Sequence, residues 1–307
     1  MRDRLWDNGP ATNTLQWFTP DEAALLDGPG GEHLVVLARP QRPGQFLVAA
    51  LAPPGIDGPL RTGHRPNGIS VSGEPARAAA DIERRLLPRY GKAVETVRTP
   101  ALHAAHQRAR EALADWDAVS DSLCDEQGFP LDDDAYGIRQ AQRDADAWAP
   151  FETFLHHGAA ALDHAGTLLP TLPVPAATAG RWRYELRALK DALAEGTHIR
   201  DLWESRLIAI VARRDDPNRW RVFNDALDDR NAEGWSAVDV FIEHAPVLQV
   251  IENAARRHTA ADTARVNAAR ARSTTAVPEP TPSPRLRPPE PPSPPSGPPN
   301  PPHAPGR

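Results

Sequence analysis

One cysteine, one methionine and two lysines are all that this chain of 307 residues contains of those types. None of its apolar runs approaches the roughly 18 residues that a membrane span requires. Cys124, standing alone, cannot close an internal disulfide. The opening residues, MRDRLWDNGP, carry arginines but no apolar segment behind them, so they lack the makings of a signal peptide. These absences point to a soluble protein of a reducing, cytoplasmic compartment. Catalytic signatures are missing as well: there is no Gly-x-Ser-x-Gly elbow, phosphate-cradling loop, dinucleotide fingerprint or His-Glu-x-x-His pair. The cluster Gly28-Pro29-Gly30-Gly31 has no strand before it and no Lys-Ser or Lys-Thr after it, and reads as a turn. Cys124 stands beside Asp125 and Glu126, an acidic neighbourhood that makes it a poor nucleophile. No catalytic residue and no cofactor is assigned.

Of the 35 basic residues only Lys92 and Lys190 are lysine. With abundant Ala, Asp and Pro, that bias matches GC-rich coding, and arginine richness by itself is not a sign of nucleic-acid recognition. The distribution of charge says more. Residues 1–255 hold 27 basic and 38 acidic side chains, a balance of -11, and such a body repels phosphate backbones. From Arg256 onward eight arginines face only Asp262, Glu279 and Glu290, a balance of +5.

What the sequence does contain is helical periodicity. Between Pro100 and Leu169, apolar positions recur mostly in steps of three and four, first at Leu102, Ala105, Ala109, Leu113 and Trp116, then at Ile138, Ala141, Ala145, Trp148, Leu155, Ala159, Leu162, Ala165 and Leu169. Thr99-Pro100 reads as the start of the first arm, Gly128 and Pro130 as its stop, and Pro150 as a kink in the second. The expectation is a long antiparallel helical hairpin. Before it, HLVVLAR (33–39), QFLVAAL (45–51) and GISVS (68–72) read as three strands, followed by a helix from Pro75 with a bend at Pro88. Thr19-Pro20-Asp21-Glu22 reads as the start of a short helix, and Trp6, Leu15, Trp17 and Phe18 as apolar anchors onto the body. After a linker at 170–180, four helices are expected. One ends at Gly196, one is capped by Thr197, one starts at Asp216-Pro217, and one is opened by a Ser236/Asp239 capping box and bent at Pro246. The eight tryptophans stand mostly at apolar helix positions and read as core.

The stretch GISVSGEPARAAADIERRLLPRY (68–90) resembles segments of uncharacterised proteins of GC-rich actinobacteria, some associated with plasmids or integrative conjugative elements. The resemblance carries no motif of assigned role; it implies a bacterial cytoplasmic accessory protein.

His103 and His106 on one arm, and His156, His157 and His164 on the other, would meet across an antiparallel hairpin. With Cys124 or Asp132 to Asp134 they are of the type that holds zinc, the basis of a metal-dependent enzyme as a third reading. The run from Asp121 to Asp134 lacks the alternating ligands and closing glutamate of a calcium loop and instead suits a helix N-terminus. Arg256, Arg257, Arg265, Arg270 and Arg272 form the one basic patch for a DNA-associated accessory role; helices near 199–230 have helix-turn-helix lengths, but Asp225, Asp228 and Asp229 offset Arg219, Arg221 and Arg230. From Val277 on, 15 of 31 residues are proline, which implies a disordered tail biased to polyproline II. Within it Arg285, Pro288 and Pro291 form an arginine-led PxxP ligand for a protein partner.

The sequence thus implies an α+β, predominantly α protein: an N-terminal βββα unit (1–98), a helical hairpin (99–169), a helical subdomain (170–258), and a basic, then Pro-rich tail (259–307). The leading functional expectation is a non-enzymatic cytoplasmic interaction or scaffold protein with an unknown protein partner and no membrane or metal role; an accessory place on a mobile element is what the resemblance adds.

Overall fold

The computed structural model describes residues 4–20, 22–28, 31–56, 63 and 65–275. It is α+β and mostly α. The chain divides at Thr259: Met1–Thr259 is one compact unit, and Ala260–Arg307 is a second, whose described part is helical. The expected disorder of the tail lies outside the described residues.

The N-terminal sheet has four antiparallel strands in the order β1 (Ala23–Asp27), β2 (His33–Ala38), β3 (Gln45–Ala50), β4 (Ile69–Ser72). Three of these are the strands that the alternating apolar runs imply. The β2–β3 turn places Gln41 and Gly44 at φ 60 and 75. The fourth, β1, replaces the short helix expected after Thr19-Pro20. Its alanines and leucines favour a helix locally, but pairing with β2 in the register Ala23↔Leu37 to Asp27↔His33 satisfies its inner edge. Both faces of the sheet are covered. Val35, Leu37, Leu47 and Ala49 pack against Ala11 and Leu15 of α1 (Pro10–Trp17), a helix without a clear signal in the sequence. Leu34, Val48, Ala50, Ile69 and Val71 pack against Trp6, Leu86, Tyr90 and Val97. Asp7 fastens the N-terminal segment: its carboxylate accepts from the amides of Gly9 (2.8 Å), Thr12 (2.9 Å) and Gly68 (2.7 Å). Of the four proposed anchors, Trp6 and Leu15 are buried, whereas Trp17 and Phe18 are exposed.

Helix α2 (Pro75–Asp81) is capped by Glu74 and passes through a π-turn, Ile82–Leu86, into α3 (Leu87–Ser120). Pro88 therefore stands just inside α3, and the irregular turn that its missing N–H requires lies before it. Thr99-Pro100 does not start a helix; α3 runs through it. An interior proline costs about 3 kcal/mol, but the apolar stripe is uninterrupted there. Val97 and Ala101 belong to the sheet core, and Leu102, Ala105 and Ala109 to the helical core, so one helix spans both.

The hairpin turn closes through a bridge between Cys124 and Pro130. Asp125 accepts from the amides of Gln127 and Phe129, both at 2.9 Å, and Gly128 takes φ 83. Asp132 caps α4 (Asp133–Leu168) by accepting from Asp134 and Ala135, both at 3.0 Å. The body is completed by α5 (Ala176–Ala212), α6 (Arg219–Glu233), α7 (Trp235–His244) and α8 (Pro246–Thr275). Gly196 and Thr197 do not divide α5: a Cβ at Gly196 would meet Phe151 at 2.5 Å and Leu155 at 2.9 Å, so that glycine permits close helix contact and is not a terminus. Ser236 forms no capping box; its hydroxyl donates to Glu195 at 2.6 Å. The core centres on Phe154 stacked on Phe241 at 4.9 Å, with Phe151 5.6 Å from Phe241. Trp6, Trp148 and Trp203 are buried, while Trp17 and Trp220 are 82% and 55% exposed, so the tryptophans are less uniformly core than their positions imply.

Candidate functional site

Two features of the first unit stand out, a cavity and a strand edge, and each follows from how its elements are held.

The first is a cavity of about 210 Å³ enclosed by α3, α4 and the segments flanking β2 and β3. Tyr90 and Arg98 enter from α3, His156 and His157 from α4, Glu32 and Pro54 from the flanking segments. His157 is 5% exposed, and its Nε2 donates to the Pro54 carbonyl at 3.0 Å. A carbonyl only accepts, so the proton is on Nε2 and the neutral ring leaves Nδ1 as an acceptor. His156 donates from Nδ1 to the Glu152 carbonyl at 2.6 Å. Burial, with Glu32 adding, pushes the Tyr90 hydroxyl up to about 12, against the backbone bond from His33. Arg98 also borders a second cavity of about 140 Å³, shared with Glu95, Thr99, His164 and Glu252. The Arg98 Nε is buried and has no hydrogen-bond partner among the described residues.

Burial pushes His157 down to about 4, with the bond to Pro54 opposing. The unfolded chain titrates near the ordinary 6.5 and binds more protons than the folded one between the two values. Stability from this group is full above about 6.5 and falls with acidification toward 4. At pH 5 the loss relative to pH 8 is about 2 kcal/mol. Urea unfolding at the two pH values should show it, and a His157→Gln variant should show a loss smaller by that amount.

The histidines do not converge. His106 is buried on α3, where Nε2 donates to the Ile242 carbonyl at 2.9 Å and the ring lies edge-on to Phe241; burial pushes it down from the usual value. His157 serves a different carbonyl, as described. Among the described residues no three of His, Cys, Asp and Glu come together to hold a metal ion.

The basic patch lies on α8. Arg256 pairs with Glu252, Arg265 with Asp262 at 3.1 Å, and the Arg272 Nε donates to the Ala268 carbonyl at 3.2 Å. Arg256 and Arg257 belong to the first unit, and Arg265, Arg270 and Arg272 to the second. Arg230, from the helix-turn-helix comparison, is half-buried over the Trp148 ring at 4.8 Å, with Glu152 3.7 Å away, and is spent on packing. Arg285, Pro288 and Pro291 lie outside the described residues.

The second feature is β1. Among the described residues nothing pairs with its outer edge, and all five of its residues are exposed. Leu25 is 63% exposed and Leu26 43%, on opposite faces, because Leu25 is paired with Val35 and Leu26 with Leu34. At its start lies a groove of about 470 Å³ lined by Phe18, Pro20, Glu22, Leu37, Arg39 and Pro40. Glu22 and Asp27 bracket the strand with carboxylates. The sequence concealed this edge because its residues suit a helix; the two adjacent leucines between acids were the available signal. No helix of the described residues is long and apolar enough to cross a membrane. No protein-family model matches the chain, and comparison with curated proteins and with solved structures finds no match.

Proposed function

We propose that the chain is a non-enzymatic interaction protein of the cytoplasm that receives an extended segment of a partner along the open edge of β1. The observation that carries this reading is β1 itself: a strand whose outer ladder is unpaired among the described residues, with two exposed leucines, features that soluble proteins ordinarily blunt with lysine, proline or cover. An added strand gains main-chain hydrogen bonds from such an edge and specificity from alternate side chains. Charge selects the occupant. A second copy in the fully overlapped antiparallel register would set Glu22 against Asp27 twice. A strand with an apolar centre and basic ends meets both carboxylates favourably and is drawn by the acidic body of residues 1–255.

The test uses a fluorescent eight-residue peptide with alternating valine and leucine between terminal lysines. The full chain should bind it in a saturable way, more weakly at high salt, and a Leu25→Lys/Leu26→Lys variant should lose binding while unfolding at an unchanged urea concentration. Equal binding by that variant, or by a peptide with glutamate ends, contradicts the reading.

A further inference from the structure

The cavity beside Arg98 has no part in docking at β1. A guanidinium nitrogen removed from water without a hydrogen bond is costly, since a buried polar group ordinarily has a partner. No described carboxylate supplies one. Glu252 is engaged by Arg256 and Thr99. Glu95, one turn before Arg98 on α3, forms no ion pair with it within 4.0 Å. Glu32 stands at the Tyr90 end, and Tyr90 precedes Arg98 by eight residues, about 12 Å along the helix. The cavity thus carries a cation at one end, a carboxylate and phenol at the other, and His156 and His157 on a wall that also includes Pro53, Pro54, Val94 and Ala160.

We propose that this cavity binds a small organic oxyanion, its carboxylate or phosphate head on Arg98 and its hydroxyl-bearing body along the two histidines. The planar guanidinium fork matches either head group. His157, whose Nε2 donates to the Pro54 carbonyl, offers Nδ1 as an acceptor and therefore favours a ligand that carries donors. Glu32 at the far end repels a second anionic group, so the ligand carries its negative charge at one end only. A volume of about 210 Å³ restricts it to a few carbon atoms.

Sodium glycerate and sodium glycerol 3-phosphate present the two heads on the same short hydroxylated body, and glycerol serves as the uncharged control. Calorimetric titration of the full chain should give one saturable site for at least one acid and none for glycerol; which acid binds more tightly identifies the head group. Arg98→Gln should weaken binding at least roughly tenfold, and Arg98→Lys, which keeps the charge but not the fork, by less. Should either variant fold poorly, the wild-type imidazole NMR signals decide: the ligand should shift those of His156 and His157 and leave His103 and His198 in place. Saturation by neither acid, equal binding by Arg98→Gln, or shifts that spare His156 and His157 would overturn the proposal.

Discussion

Replacing Arg143 by alanine is expected to cost about 3–5 kcal/mol of folding stability, seen as a large fall in the urea midpoint. Arg143 bonds Asp144 through Nε at 2.8 Å, with side-chain exposures of 12% and 3%. Its guanidinium also lies 3.8 Å from the Trp235 ring centre and 5.1 Å from that of Trp116. It thereby joins α3, α4 and α7 near the hairpin turn. Alanine removes both ring contacts and leaves Asp144 as a buried charge without its counter-ion. Burial already pushes the Asp144 carboxyl up, with Asp228 adding, and the bond and charge of Arg143 oppose that. Without Arg143 the carboxyl rises further, and a folded value above the unfolded one means a penalty that fades as pH falls. The deficit of Arg143→Ala should therefore be smaller at pH 5 than at pH 7. A double variant, Arg143→Met with Asp144→Asn, should recover much of the loss, because removing both charges is milder than removing one.

The second large effect concerns space. Gly234 has φ -79 and ψ -5, a conformation open to any residue, so its backbone does not call for glycine. A Cβ there would run into the Trp148 ring, as one at Gly196 would run into Phe151. Gly→Ala in a helical conformation normally gains up to about 1 kcal/mol. At these two sites the sign should reverse, to a loss of about 1–3 kcal/mol for alanine and the upper end or more for leucine. Gly137 and Gly166 on α4 are the controls: nothing lies within 4 Å of an added Cβ at either, so alanine there should stabilise. Thermal unfolding of the four alanine variants separates the pairs by sign.

These residues also show where sequence reasoning reaches and where it stops. The hairpin was legible because its signals are local: apolar steps of three and four, Gly128 at positive φ, and Asp132 capping α4. Strands β2, β3 and β4 were legible through their apolar, β-branched runs. Gly196 and Thr99-Pro100 imitate helix ends, and only the packing of Phe151 and the shared stripe from Val97 to Ala105 reveals that the helices continue. β1 was hidden because Ala-Ala-Leu-Leu prefers a helix until β2 is there to pair with it. Arg98 was hidden for a different reason. Among 33 arginines nothing local marks the one that lines two cavities and has a buried Nε, since burial is fixed by α4 and the sheet, far away in sequence.

The open edge of β1 is best tested by amide hydrogen exchange of the full chain with and without the lysine-ended peptide. Strand addition predicts slower exchange within Ala23–Asp27, with little change in α5 to α7. Unchanged exchange across Ala23–Asp27 at saturating peptide, or slowing confined to the helical body, would contradict docking at this edge.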